Sequence, residues 1–299
     1  MFLVVGAGPP PRPEHLAAGD GGHYNCRSVN ASKKIFLTGA SAGIGLETAR
    51  LLAERGCNVW GTSRDPARLP KLPGFHPVEM DLLQTKSIRA GFAAALQEAG
   101  AFDVLINNAG AGVFGPLDSM PTELVREQFQ LLVDAPLELI RLALPQMRNR
   151  DRGTIVNVTS LAAILPVPFL TPYSAAKAAL SVLTQGLRVE LANTAIRVVE
   201  IRPGDINTAF HEATKKVDVA ADPENQNRMR AAGETAIRNM AAAPSPALVA
   251  KAIVSVIENP RPPAMVTVGG LFQACVAPLA ARLLPPRLLE FGLRRYYRL

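Results

Sequence analysis

The sequence predicts an α/β protein built on a doubly wound parallel sheet of about seven strands with helices on both faces. Two observations carry this. From Lys33 onward, short runs that are apolar at every position alternate with longer stretches of helical period, and strands apolar on both faces need cover on both faces. No Pro/Gly-rich linker interrupts residues 33–299, which are therefore taken as a single domain. Such a sheet is Rossmann-like, with ligands at the carboxyl ends of its strands.

The strands are expected at 35–38, 58–61, 76–80, 104–106, 154–158, 197–201 and 265–268, and the helices include 44–55, 87–98, 124–148 and 174–191. Residues 1 to about 32 read differently. Pro9, Pro10, Pro11 and Pro13, then Gly19, Gly21 and Gly22, deny them helix or strand, and a disordered tail is expected. Its start, Phe2-Leu3-Val4-Val5-Gly6-Ala7-Gly8, imitates a strand running into a nucleotide-binding turn. Three prolines follow where a helix N-terminus would have to receive the phosphates. Nor does it read as a secretory signal, since no basic region precedes the short apolar run.

Composition narrows the class. The 299 residues are 48% hydrophobic and 19% charged, which suits a globular protein and excludes collagen, repeat arrays and disordered stalks. Lys plus Arg number 32 and Asp plus Glu 25, so the formal charge of +7 permits phosphates, nucleic acid or an anionic membrane without choosing among them. Three scattered cysteines, Cys26, Cys57 and Cys275, are no disulfide scaffold, and a reducing, cytoplasmic setting is expected. His15, His23, His76 and His211 lack partners at ligand spacing, so no metal is expected. The body of the chain shows no basic–aromatic platform for nucleic acid.

After the first long strand comes Thr38-Gly39-Ala40-Ser41-Ala42-Gly43-Ile44-Gly45-Leu46, with helix-forming residues behind it. Glycines there allow a tight turn and close backbone approach to a pyrophosphate, and Ser41 is placed to cap the helix. At the end of the second strand an acid would hydrogen-bond a ribose 2′-OH; Ser63 stands there instead, followed by Arg64, whose guanidinium suits a 2′-phosphate. Asp65, before Pro66, reads as a turn cap. NADP(H) is thus favoured over NAD(H).

Tyr173 and Lys177 share one helix face at a spacing of four residues, and a nearby cation would lower the phenol's pKa. Ser160, thirteen residues before Tyr173, ends a strand at the carboxyl edge of the sheet.

Taken in order, Thr38-Gly39-x-x-x-Gly43-x-Gly45, Asn107-Asn108-Ala109-Gly110, Ser160, Tyr173-x-x-x-Lys177 and Arg202-Pro203-Gly204 resemble the compact short-chain dehydrogenases/reductases over about residues 33–270. The resemblance implies hydride transfer between a nicotinamide cofactor and a carbonyl or alcohol. Tyr173 would be the general acid for reduction, Ser160 would hydrogen-bond the substrate oxygen, and Lys177 would hold the nicotinamide ribose. Gly39, Ser41, Gly43, Ile44, Gly45, Asn108, Ala109 and Gly110 would line the cofactor. Asp81 and Leu82 would meet the adenine, the backbone after Pro203 and Gly204 the nicotinamide amide, and Thr208 the phosphates.

One position departs from the family pattern. Leu132 stands where members carry an Asn whose carbonyl holds a proton-relay water. Pro136 offers a substitute, because proline has no N–H to bond the carbonyl of residue 132 and so leaves that acceptor free in a kinked helix.

Around the catalytic serine the candidate wall residues are Leu161, Ala162, Ile164, Leu165, Pro166 and Phe169, with Phe114 and Phe210. They suit a lipophilic carbonyl or alcohol. Residues 211–245, long and polar, are expected to form a lid. At the C-terminus, residues 271–299 mix Arg287, Arg294, Arg295 and Arg298 with Leu288, Phe291 and Tyr296 in an amphipathic extension. It is a candidate for peripheral membrane contact, for folding over the cleft, or for packing in a homo-oligomer. The sequence thus reads as an NADPH-dependent oxidoreductase. A non-catalytic NADP(H)-binding regulator or scaffold on the same fold, favoured by Leu132 alone, is the alternative.

Overall fold

The computed structural model describes residues 3–5, 33–217 and 223–299. Along the chain run β1 (Leu3–Val5), β2 (Lys34–Leu37), α1 (Gly43–Glu54), β3 (Asn58–Ser63), β4 (Phe75–Glu79), α2 (Thr85–Ala99), β5 (Val104–Asn107), β6 (Val113–Phe114), α3 (Thr122–Phe129), α4 (Ala135–Asn149), β7 (Gly153–Val158) and α5 (Thr171–Glu190). There follow β8 (Ile196–Pro203), α6 (Phe210–Ala213), β9 (Lys215–Lys216), α7 (Pro223–Ala241), α8 (Pro246–Glu258), β10 (Met265–Val268), α9 (Ala277–Leu283) and α10 (Pro286–Tyr297).

The sheet order is β4-β3-β2-β5-β7-β8-β10-β1, and every pair is parallel. The seven strands read from the sequence are all present. Alternation along each strand feeds two cores. Ile35, Leu37, Val104 and Ile106 face the layer of α1 and α8, with Leu52 and Ile253. Phe36 and Leu105 face the layer of α2 and α4, with Phe92, Leu139 and Met147. Burying such a side chain contributes roughly 1.5–3 kcal/mol, which is why these strands carry no polar face.

The chain leaves β2 outward through β3 and β4, then returns to β5 on the other side of β2. That reversal opens a crevice beyond the carboxyl ends of β2 and β5, the switch point where such sheets bind ligands.

One expectation needs correction. Leu3–Val5, assigned to a disordered tail, pairs with β10 in the register Leu3↔Val266, Val4↔Thr267 and Val5↔Val268. Three successive apolar residues can complete the open edge of β10 without any turn motif behind them. The rest of residues 1–32 lies outside the described residues. The helix expected at 124–148, with its kink at Pro136, carries a π-helical segment, Gln130–Asp134, between α3 and α4. There the Ala135 N–H reaches back five residues to the Gln130 carbonyl, next to Pro136, which has no N–H to offer. The segment at 211–245 is structured by α6, β9 and α7. Its strand pairs with β6 (Val113↔Lys215, Phe114↔Lys216), although residues 218–222 lie outside the described residues.

Candidate active site

The glycine turn after β2 folds back tightly. Gly39 and Gly43 have φ of +70° and +54°, and a Cβ on Gly45 would lie 2.0 Å from the Gly39 carbonyl oxygen, so a side chain fits at none of the three. The turn is braced by neighbours. The Asn108 side-chain amide donates to the carbonyls of Thr38 (2.9 Å) and Gly39 (3.3 Å), and Thr38 Oγ1 accepts the N–H groups of Asn108 and Ala109. A Cβ on Gly39 would sit 2.9 Å from Ala109 Cα, so the two turns that flank the crevice are in contact. Thr208, from the segment after β8, reaches the same place, 3.5 Å from the Cβ position of Gly43.

Ser41 does not cap α1. The N-cap is Ala42, in extended geometry and without a side-chain hydrogen bond. A helix whose first N–H groups have no side-chain acceptor, behind a turn that excludes side chains, fits a pyrophosphate. At the end of β3, Arg64 is exposed and pairs with no carboxylate among the described residues. Asp65 Oδ1 accepts the Ala67 N–H at 3.0 Å and caps a short turn, as its position before Pro66 implied. Beyond β4, Asp81 Oδ1 accepts the Leu83 N–H while its own N–H donates to Ser87, and Leu82 is buried behind it.

Ser160, Tyr173, Lys177 and Leu132 come together on the other side of the crevice. Ser160 stands two residues past β7 and caps a short turn, its Oγ accepting the Ala162 N–H at 3.1 Å. Its hydroxyl is close enough to the Tyr173 phenol to hold the phenol's pKa down. Lys177 is buried; its Nζ donates to the Val158 carbonyl at 2.8 Å and lies 5.9 Å from the centre of the Tyr173 ring. Leu132, in the π-helical segment, meets Lys177 across Gly110. A Cβ on Gly110 would be 3.4 Å from Leu132 Cδ2 and 3.7 Å from Lys177 Nζ. The Phe210 ring packs edge-on against Tyr173 at 5.3 Å, and Phe114 pairs with Phe169 at 5.9 Å.

The lysine does not lower the phenol here. Burial pushes Tyr173 up to about 12, the nearby Ser160 hydroxyl opposes the rise, and the Asp205 charge adds to it. Lys177 is itself brought down to about 8 by burial, with a leucine where an amide would have offered a polar neighbour. Spacing shows that two groups share a face, not how little water reaches them.

A family model described as short chain dehydrogenase matches residues 33–218. The chain belongs to the short-chain dehydrogenase family. It is an oxidoreductase of that family. Its relatives include a 3-ketodihydrosphingosine reductase from Bacteroides thetaiotaomicron, 31% identical over 267 residues, or 88% of this chain and 97% of the relative. A short-chain dehydrogenase from Streptomyces avermitilis has the same fold at a TM-score of 0.74 and 28% identity, covering 89% of this chain and 97% of that one. A short chain dehydrogenase from Burkholderia cenocepacia, solved in complex with NADP, matches at a TM-score of 0.64 and 26% identity over 86% of this chain and 99% of its own. Other chains of this fold are solved with NAD, and the cofactor class is a nicotinamide dinucleotide.

This dehydrogenase also uses residues that sequence reading passed over. Asp205, directly after Gly204, is clasped by Gln273: the Asp205 N–H donates to Gln273 Oε1 at 2.8 Å and Gln273 Nε2 donates to Asp205 Oδ2 at 2.5 Å. Burial pushes the Asp205 carboxyl up against that hydrogen bond. Beneath the catalytic residues lies a buried bracket. Glu200 accepts from Thr159 (2.7 Å), Ser181 (3.1 Å) and Arg202 (Nη2, 2.9 Å), so β8 holds both the residue before Ser160 and the helix turn after Lys177. No spacing rule links positions so far apart along the chain.

Proposed function

We propose that the protein reduces a lipophilic carbonyl with NADPH. The observation that carries the reading is the grouping past the carboxyl end of β7: Ser160 beside the Tyr173 phenol, buried Lys177 bonded to the Val158 carbonyl 5.9 Å from that ring, and the Phe210 ring against it. When bound, the dinucleotide supplies the hydride that adds to the carbonyl carbon. Tyr173, protonated through the neutral range at a pKa of about 12, gives its proton to the carbonyl oxygen. Ser160 holds that oxygen in line, and Lys177 places a positive charge beneath the phenolate left behind.

NADPH rather than NADH is supported by Arg64, exposed at the end of β3 and paired with no carboxylate among the described residues, and by Asp65, whose carboxylate is committed to the Ala67 N–H. Gly39, Gly43 and Gly45 would receive the pyrophosphate, and Thr208 stands beside it. The aromatic and aliphatic lining supports a lipophilic substrate, and so does a relative named for reducing a lipid ketone. Loss of NADPH absorbance against a panel of long-chain ketones and aldehydes tests the reading. Turnover by the parent, with about a hundredfold or greater loss in Tyr173→Phe and unchanged NADPH binding, supports it. NADPH binding without turnover of any carbonyl in either direction overturns it.

A further inference from the structure

Residues 271–299 turn an apolar stripe toward solvent. Phe272, Val276, Leu279 and Leu283 recur at steps of four, three and four along a second π-helical segment, Phe272–Val276, and α9, and Leu288 and Phe291 are likewise exposed on α10. Each is 50–68% exposed. The same fold shows what a helix does when such a stripe belongs to the core: on α8, Val249, Ile253, Val256 and Ile257 follow similar steps and are all buried. Among the described residues no neighbouring element covers the C-terminal stripe, although α10 is otherwise anchored. Its Tyr297 is buried, and Tyr296 accepts a hydrogen bond from Asn239 of α7 at 2.9 Å.

The charge around this face is one-sided. Residues 271–299 hold Arg282, Arg287, Arg294, Arg295 and Arg298 against a single acid, Glu290. All five arginines are exposed, and none pairs with a carboxylate among the described residues. An apolar stripe that buries in acyl chains, bordered by guanidinium groups that meet phosphates, matches an anionic bilayer surface. A second copy of the chain would bring two like-charged borders together. No single helix among the described residues is long and apolar enough to cross a membrane.

We propose that the α9–α10 face docks the protein on anionic lipid bilayers. This goes beyond the catalytic reading and does not depend on it.

The test is flotation of the full chain with vesicles of phosphatidylcholine alone or mixed with phosphatidylglycerol. The expected result is flotation with the anionic vesicles, weakened by salt. It should fall roughly tenfold or more in the paired variant Leu279→Glu with Phe291→Glu and in Arg294→Gln with Arg295→Gln. Thermal melting confirms that each variant folds. The proposal is overturned if the parent stays unbound in the presence of anionic vesicles, or if the glutamate variant floats as well as the parent. A parent that is dimeric and does not float, with a monomeric glutamate variant, gives the face to a second copy instead and also overturns it. None of these readouts involves turnover, so they stand apart from the fate of the carbonyl-reductase reading.

Discussion

The Lys177 ammonium donates to the Val158 carbonyl at 2.8 Å, which ties the helix carrying Tyr173 to the strand that leads into Ser160. The bond fixes the lysine in a buried place that lowers its pKa to about 8, while burial raises Tyr173 to about 12. The pH dependence follows with opposite signs for the two directions. Carbonyl reduction, which needs the protonated phenol and benefits from the charged lysine, should stay level below pH about 8 and fall above it. Alcohol oxidation, which needs the phenolate, should rise with pH toward about 12, where the phenol ionises. Stability has its own sign. Between about 8 and the ordinary lysine value the unfolded chain binds the extra proton, so stability rises with pH across that window. Profiles of kcat/KM in both directions, with urea melts in parallel, check this, and Lys177→Met should remove the break near 8 from the reduction profile and from the melts.

Arg64 is the residue on which cofactor choice is expected to turn. Charge-assisted hydrogen bonds contribute about 1.5–3 kcal/mol, so Arg64→Gln should weaken NADPH roughly tenfold to a hundredfold. NADH, with no 2′-phosphate to lose, should be little affected. Ser63→Asp should add repulsion against the phosphate and an acceptor for the ribose, moving the preference toward NADH. Kd values for both dinucleotides, measured by fluorescence titration, decide it. Equal loss for the two would place Arg64 away from the 2′ position.

Much of this site was legible in the sequence because its parts are local. A turn of three glycines, a Tyr and a Lys four residues apart, and a Ser at a strand end are written within short windows. What escaped is long-range or depends on burial. Gln273 and Asp205 come together only once β10 has joined the sheet, and Glu200 reaches Thr159 and Ser181 only across β7 and α5. Leu3–Val5 joined the sheet because an edge accepts any short apolar run, which composition alone does not announce. The upward shift of Tyr173 escaped for the same reason, since spacing reports a neighbouring cation but not the missing water.

The Glu200 bracket makes a prediction about stability. Glu200 and Arg202 form an ion pair that is almost wholly buried, and removing one partner strands the other charge. Glu200→Ala should therefore cost about 3–5 kcal/mol, read from the urea midpoint. Replacing both by Met should recover most of that loss, because an apolar pair of similar volume leaves no uncompensated charge. Turnover separates the two roles. If the bracket also positions Ser160 and α5, the double variant should regain stability and still have a lower kcat, with KM for NADPH unchanged.

Pro136 and Leu132 carry the last prediction. The π-helical segment lies where the family's relay would take its acceptor, and Leu132 supplies no polar side chain there. Its carbonyl has no α-helical donor, because that donor would be the N–H of residue 136. We expect this carbonyl to hold the water through which Lys177 exchanges protons with solvent. Pro136→Ala returns the N–H, and the ladder bond to Leu132 should form at the expense of that water. Turnover should slow, with a larger solvent isotope effect as proton return becomes limiting, while NADPH affinity and the melting temperature stay near those of the parent. Leu132→Asn in the Pro136→Ala background should restore part of the rate by offering an amide beside Lys177. Unchanged turnover in Pro136→Ala would reduce the π-helical segment to a packing feature, and proton return would then need a route that bypasses α3 and α4.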